Sequence, residues 1–358
     1  MRIVHVYKDA FPPVHGGIEQ HIALLSELQS AAGHEVSVIA AGTSRVPARN
    51  TVDGVEITRL PEVARLASSP VTTWFARVLR SLDADVVHFH HPNPAGELAE
   101  PVVPRHVARV ATYHADITRQ RVLGPLYRPL LRRFLRRMQA VIVGSQPLLE
   151  SSPLLSAVGD RARVVPFGVR PLPSGPSLPR QPRTLLFVGR LREYKGLSVL
   201  LRAIAQVDGV RLRVVGSGPL GDELRALAKE LRVSDRVTFA GEVSDEELDR
   251  EYRTARALVL PSTRRSEAFG LVLAEALGYG TPCISTELGT ATSWVNVHGE
   301  TGLVVPPGDV RALAAAIRRL LDDQDQWSRY SVAAVQRAGL FSPSKMFRGV
   351  QAVYEAVT

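Results

Sequence analysis

A chain of 358 residues, 45% hydrophobic and 22% charged, has the composition of a soluble globular protein and is long for one core, so two domains are expected. No run of about eighteen apolar residues occurs, which excludes a membrane-spanning helix, and the single cysteine, Cys283, excludes a disulfide within the chain. The formal charge of +9 fits nucleic acid, an anionic membrane surface or phosphorylated substrates; arginine spread over solvated faces accounts for most of it, and of these partners nucleic acid is not the one expected.

The first residues, Met1 to Tyr7, read as a short buried strand, without the long apolar core and cleavage site of a signal peptide, so the cytoplasm is the default compartment. Strands are predicted at Ile3–Tyr7, Glu35–Ala40, Val86–Phe89, Val107–Tyr113 and Ala140–Gly144, with helices such as Ile18–Ala32 between them. That alternation implies parallel β-α-β units. The stretch Pro171-Leu172-Pro173-Ser174-Gly175-Pro176-Ser177-Leu178-Pro179 is too rich in Pro, Gly and Ser to form an element, and 171–183 reads as a linker. Strands resume at Thr184–Val188, Arg211–Val215, Arg236–Phe239, Ala257–Leu260, Pro282–Ser285 and Leu303–Val305. The expected divisions are 1–170, the linker 171–183, a second domain 184–341 and a final helix 342–358. Both domains are expected to be doubly wound α/β, with ligands at the carboxyl ends of the strands. Ser342-Pro343 opens the last helix as a cap and first-turn proline, and Met346, Val350, Val353 and Tyr354 supply its apolar face.

The segment from Arg264 to Ala276 carries the strongest chemical signal. Glu267 and Glu275 flank Phe269-Gly270, directly after the strand-like run Ala257–Leu260. Strong helix formers after Gly270 place a helix start there, with the amides of Gly270, Leu271 and Val272 as its unpaired donors. Such an end suits a phosphate, and two flanking carboxylates suit hydroxyl groups. A nucleotide sugar has both.

Other residues are weighed against plainer roles. Gly16-Gly17, before a helix, permits positive φ or close approach of a ligand, or makes a plain turn. Arg190 and Lys195, after the first strand of the second domain, are placed to neutralise a diphosphate. Gly216-Ser217-Gly218-Pro219-Leu220-Gly221 fits a dinucleotide loop, a weak signal alone. Glu242 and Val243 are candidates for base contacts, although Ser244 to Glu247 also fits a helix-capping box. His114 ends a strand. His88, His90 and His91 end another and read as lining an acceptor cleft, with no further metal ligand identifiable. Asp83-Ala84-Asp85 matches a metal-binding Asp-x-Asp but lies at the amino end of its strand, the wrong end for a ligand. Between Arg119 and Arg137 the chain is basic, and Arg128, Arg132, Arg133, Arg136 and Arg137 form either a solvated helix edge or a dock for anionic lipid headgroups.

Taken in order, Pro12-Pro13-Val14-His15-Gly16-Gly17-Ile18-Glu19, His114, Val188-Gly189-Arg190, Lys195-Gly196, Gly216-Ser217-Gly218-Pro219, the Glu267/Glu275 pair, Gly280-Thr281-Pro282 and Gly299 to Asp309 resemble the retaining glycosyltransferases of family 4. The resemblance covers essentially the whole chain. It implies the GT-B architecture: two Rossmann-like doubly wound domains, an active-site cleft between them, and a last helix crossing back to the first domain. It also implies roles. Arg190 and Lys195 hold the diphosphate, Glu275 the ribose, and Glu267 a sugar hydroxyl. His114 lies near the transferred sugar. Gly16, Gly17, Gly216, Glu242, Val243, Phe269, Gly270, Leu271 and Val272 line the donor. No catalytic metal and no cofactor are implied. The segment Thr286 to Asn296 is similar to bacterial mannosyl- and rhamnosyltransferases of polysaccharide and lipid-linked glycan assembly. GDP-mannose is the preferred donor, with UDP-glucose, UDP-galactose and dTDP-rhamnose open, and a glycan or lipid-linked hydroxyl is the acceptor. Such an enzyme would be cytoplasmic, or peripheral on the inner face of the plasma membrane. The alternatives are a non-catalytic sugar-nucleotide-binding subunit and an NAD-dependent dehydrogenase built on Gly216–Gly221.

Overall fold

The computed structural model describes all residues except 13, 15, 44–45, 67–68, 118–122 and 171–177, so Pro13, His15, Arg119 and much of the expected linker lie outside the described residues. The chain forms two compact units, one of residues 1–168 with 342–358 and one of residues 169–341.

In the first unit the strands are β1 (Arg2–Val6), β2 (Glu35–Gly42), β3 (Ala48–Val52), β4 (Val55–Pro61), a small hairpin β5 (Ala64–Leu66) and β6 (Ser69–Val71), then β7 (Val86–His91), β8 (Ala108–Tyr113), β9 (Ala140–Val143) and β10 (Ala162–Val164). The main sheet runs β10-β9-β8-β7-β1-β2-β4-β3 and is parallel except for the β3–β4 pair. Strands β7 and β9 are buried at every position, as their unbroken apolar or histidine-rich runs require between two helical layers. The β3–β4 hairpin is absent from the sequence expectation. It turns on Asp53-Gly54, both at positive φ (50° and 76°), a two-residue turn that this dipeptide favours. The final helix, Pro343–Glu355, belongs to this unit and packs Met346, Val350, Val353 and Tyr354 on Ile3, Val86, Val110 and Ile142. Each such buried side chain is worth roughly 1.5–3 kcal/mol. Ser342 occupies the cap position, but its side chain makes no capping bond.

The second unit is fully parallel: β11 (Gln181–Val188), β12 (Arg211–Val215), β13 (Val237–Gly241), β14 (Ala255–Leu260), β15 (Cys283–Thr286) and β16 (Gly302–Val305), in the order β13-β12-β11-β14-β15-β16. Residues 181–183, expected in the linker, are already strand. A register shift between Gln181 and Leu185 accommodates Pro182, which has no N–H to give. Strand order reverses between β11 and β14, so the connections leaving these two strands diverge to opposite faces. A crevice at their carboxyl ends follows. The first unit has the same reversal between β1 and β7.

Candidate active site

After β11 the chain passes Gly189 and the exposed Arg190, then turns through Glu193–Lys195 and Gly196 into the helix Leu197–Ile204. Gly196 has φ 70°, and a Cβ there would stand 2.0 Å from the Pro261 carbonyl oxygen. Only glycine lets this turn press against the end of β14. Gly216, after β12, is held in the same way: φ is 119°, and a Cβ would come within 2.3 Å of the Gly189 carbonyl oxygen. The Thr263 amide donates to the Tyr194 carbonyl at 2.8 Å and ties the β11 and β14 loops together.

This approach sets Lys195 Nζ 2.6 Å from Glu267 Oε2, and Ser262 Oγ donates to the same carboxylate oxygen at 3.0 Å. The Glu267 carbonyl accepts from Thr290 Oγ1 at 2.8 Å, and the Ala268 carbonyl from the Ala291 amide at 2.9 Å. The loop carrying Glu267 is thereby anchored to the segment following β15. Burial alone lowers the Lys195 pKa, but Glu267, Tyr194 and Glu275 outweigh it and hold the ammonium above its ordinary value. Lys195 is therefore cationic at neutral pH. Sequence reasoning gives Lys195 and Glu267 separate ligands; the structure pairs them.

The helix Leu271–Gly278 starts at Gly270, in left-handed backbone, with no side chain capping it. The Leu273 amide turns back to the Gly270 carbonyl at 2.8 Å, while Leu271 and Val272 precede any intrahelical acceptor. Phe269, just ahead, is buried against Trp294 and Phe341, so its ring is committed to the core. On the helix, Glu275 Oε2 accepts from Tyr252 Oη at 2.6 Å. Burial pushes the Glu275 carboxyl up, and Tyr252 and Lys195 offset part of that rise. Sequence reasoning does not single out Ser262, Tyr194 or Tyr252, which reach these groups only through the fold.

Glu242 is exposed and accepts from Ser217 Oγ at 2.5 Å, and the Gly216 amide donates to the Gly241 carbonyl at 2.7 Å. Val243 is half-buried beside them. Ser244 and Glu247 do form a reciprocal capping box. Thr281 is structural, donating to the Tyr252 carbonyl at 2.8 Å and accepting from Arg180 at 2.6 Å.

His114, Gly16 and Gly17 belong to the first unit. Gly16 is extended at φ −143° and Gly17 begins the helix, so neither uses positive φ. Instead, Gly16 leaves room for the Glu19 carboxylate, whose Oε2 would lie 2.2 Å from an added Cβ. His114 is buried, with Nε2 3.0 Å from His90 Nδ1. His88, His90 and His91 are also fully buried, which corrects their reading as cleft-lining side chains. His91 Nδ1 pairs with Glu97 Oε1 at 2.9 Å, and His88 and His90 join an internal cluster. Their strand, β7, is buried at every position, so side chains on both of its faces are covered. Asp85 accepts from the Arg2 amide at 2.7 Å and Asp83 pairs with the Arg2 guanidinium.

In the helix Leu123–Arg137, the side chains of Arg128, Arg132, Arg133, Arg136 and Arg137 are exposed, while Leu131, Phe134 and Leu135 are buried. Leu130 is 46% exposed, and Arg137 is paired with Glu100 at 3.1 Å. Among the described residues, no helix is long and apolar enough to cross a membrane.

Residues 15–172 match the sequence-family model Glycosyltransferase Family 4, and residues 173–337 match Glycosyl transferases group 1. The D-rhamnosyltransferase WbpZ of Pseudomonas aeruginosa is 38% identical over 337 residues, 91% of this chain and 88% of that protein. The chain belongs to glycosyltransferase family 4. This glycosyltransferase is also 32% identical to the O-antigen chain mannosyltransferase C of Escherichia coli, over 92% of this chain and 91% of that one. Its fold is GT-B, like that of Anabaena HepE solved with UDP and glucose, at a TM-score of 0.79 and 18% identity over 99% of this chain and 100% of HepE. Family membership makes glycosyl transfer the activity and sets aside the dehydrogenase reading of Gly216–Gly221.

Proposed function

We propose that this glycosyltransferase moves a hexose, with retention of configuration, from a nucleotide-diphosphate sugar to a hydroxyl of a glycan or lipid-linked acceptor. The observation that carries the reading is the Lys195–Glu267 pair, 2.6 Å apart at the β11/β14 reversal. Close by are Glu275, whose charge acts on Lys195, and the uncapped start of its helix. Cleavage of the bond from sugar C1 to the phosphate oxygen leaves negative charge on the diphosphate. Lys195, Arg190 and the amides of Gly270, Leu271 and Val272 stabilise it. The departing phosphate oxygen takes the acceptor proton as the acceptor oxygen bonds to C1 on the same face. Glu267 orients a sugar hydroxyl, Glu275 holds the ribose, and Gly216, Glu242 and Val243 adjoin the base. His114 serves the transferred sugar, and Gly16 and Gly17 serve the diphosphate.

GDP-mannose is the proposed donor; the mannosyltransferase among the relatives supports the sugar, and HepE with UDP supports a nucleotide donor. A bound donor stabilises by mass action, about 2.7 kcal/mol at a hundred times Kd. In a thermal-shift panel of GDP-, UDP-, dTDP- and ADP-sugars, GDP-mannose is expected to raise Tm most. If no nucleotide sugar moves Tm, the reading fails; a larger shift with another donor replaces GDP-mannose.

Cationic side chains and amides do the neutralising, so the reaction is proposed to need no metal. Turnover in excess EDTA is expected to equal that without it. Loss of turnover that Mg²⁺ or Mn²⁺ restores would refute this and return attention to Asp83 and Asp85.

A peripheral location at an anionic membrane is also proposed, through Arg128, Arg132, Arg133, Arg136 and Arg137. The burial of Leu131, Phe134 and Leu135 leaves chiefly electrostatic attraction, about 1 kcal/mol per charge near the surface. Binding to anionic liposomes is expected to weaken with salt and to vanish when these arginines become glutamine. Equal co-sedimentation with neutral vesicles, or no change in the glutamine variant, would sink the idea.

A further inference from the structure

In the first unit, five histidines from separate parts of the chain converge: His5 on β1, His21 on the helix Gly17–Ala31, His88 and His90 on β7, and His114 after β8. All are buried. One ring nitrogen each of His21, His90 and His114 lies within 4.8 Å of the others, and the same holds for His5, His88 and His90.

Hydrogen bonding distinguishes the two groups. His5 Nε2 is 2.7 Å from Gln29 Oε1, and His5 Nδ1 is 3.0 Å from His90 Nε2. His88 Nδ1 is 2.6 Å from Tyr354 Oη, and its Nε2 is 2.7 Å from Thr112 Oγ1. Every nitrogen of His5 and His88 is thus engaged. His21 differs, because neither of its ring nitrogens has a hydrogen-bond partner although the residue is 3% exposed. Its ring stands 5.1 Å from that of His114 and 6.0 Å from that of His90.

The surrounding bonds also set which nitrogen of His90 is free to bind. With its carbonyl oxygen toward His5, Gln29 can only accept there, so His5 Nε2 donates. His5 Nδ1 then accepts, and His90 Nε2 is its donor. In a neutral ring that leaves the lone pair of His90 on Nδ1, facing His114 Nε2 at 3.0 Å. A histidine whose far nitrogen donates into a fixed chain has the orientation typical of a metal ligand. All three rings are buried, and burial disfavours the charged form of an imidazole. Neutral imidazole is the ligating form.

We propose that His21, His90 and His114 form a binding site for a divalent transition-metal ion, with zinc the best match. Three imidazoles without a carboxylate suit zinc rather than Mg²⁺ or Ca²⁺, and zinc accepts three protein ligands with a fourth position open. Coordination at about 2.0–2.1 Å brings a His21 nitrogen in and replaces the His90–His114 hydrogen bond with two bonds to the metal, those two nitrogens parting slightly, with the His114 proton carried on Nδ1. The site's ligands belong to the first unit and Lys195, Arg190 and the helix-start amides to the second, so the metal is not asked to neutralise the diphosphate and the site is consistent with turnover in chelator. Occupancy would take the His114 Nε2 lone pair and inhibit transfer; that consequence, unlike the binding, rests on the role proposed above for His114.

The test uses full-length protein made without a histidine tag and stripped of metal, titrated with Zn²⁺ by calorimetry and with Co²⁺ by visible absorption. One Zn²⁺ per chain is expected, with the absorption of tetrahedral cobalt. His21→Leu and His21→Asn should each weaken zinc at least tenfold while keeping a cooperative melt, and Gln29→Met should weaken it by about 10–100-fold through the outer hydrogen bonds. If one His21 variant fails to fold, the other decides. No stoichiometric binding by the wild type, or undiminished binding in a folded His21 variant, overturns the site. Zinc binding without inhibition leaves the site standing and counts against the role of His114.

Discussion

Lys195→Ala is expected to lower kcat by about 10²–10³-fold, the usual loss when one donor to a developing anion is removed. The substitution does two things. It withdraws the cation proposed to meet the leaving diphosphate, and it leaves the nearly buried Glu267 carboxylate without its ion-pair partner, with Ser262 Oγ still donating to it. Breaking a buried ion pair from one side costs roughly 3–5 kcal/mol, so Tm should fall as well. A double variant separates the effects. Replacing both partners, Lys195→Met with Glu267→Gln, removes the unpaired charge and should recover most of the lost stability while activity stays low. Recovery of activity together with stability would assign the pair to folding alone. Wild-type kcat in Lys195→Ala would remove it from the chemistry.

Glu275→Ala is expected to act on binding. Two hydrogen bonds from ribose hydroxyls to a carboxylate are proposed to be lost, each about 1.5–3 kcal/mol where a charge is involved. Donor KM should rise by at least about tenfold, with a smaller change in kcat. Tyr252 loses its acceptor in the same variant, so Tyr252→Phe is the control. It should shift KM by less, because it frees the carboxylate without removing it. An unchanged donor KM in Glu275→Ala would show that the residue does not touch the donor.

Much of the fold is legible in the sequence because parallel strands buried on both faces announce themselves as apolar runs between helical patterns. The start of the helix after Gly270 is legible for a similarly local reason: good helix formers follow a glycine directly. The β3–β4 hairpin also carries a local signal, Asp53-Gly54, but its strand β3 is exposed and has no apolar run to draw attention. What the chain does not show is which side chains strand order brings together. Lys195 and Glu267 meet because β14 lies beside β11, although two strands intervene in sequence. The histidine cluster is hidden for the same reason. His5 and His21 look like isolated polar residues in a strand and a helix until β1 is set against β7.

Retention from a GDP-sugar is tested most directly by proton NMR of the first sugar released when the wild-type enzyme hydrolyses GDP-mannose without an acceptor. The first-formed mannose should carry the α configuration of the donor, before mutarotation scrambles it, and Lys195→Ala should release it far more slowly. Initial release of β-mannose would contradict a front-face reaction, and no release at all would favour a protein that binds the donor without transferring it.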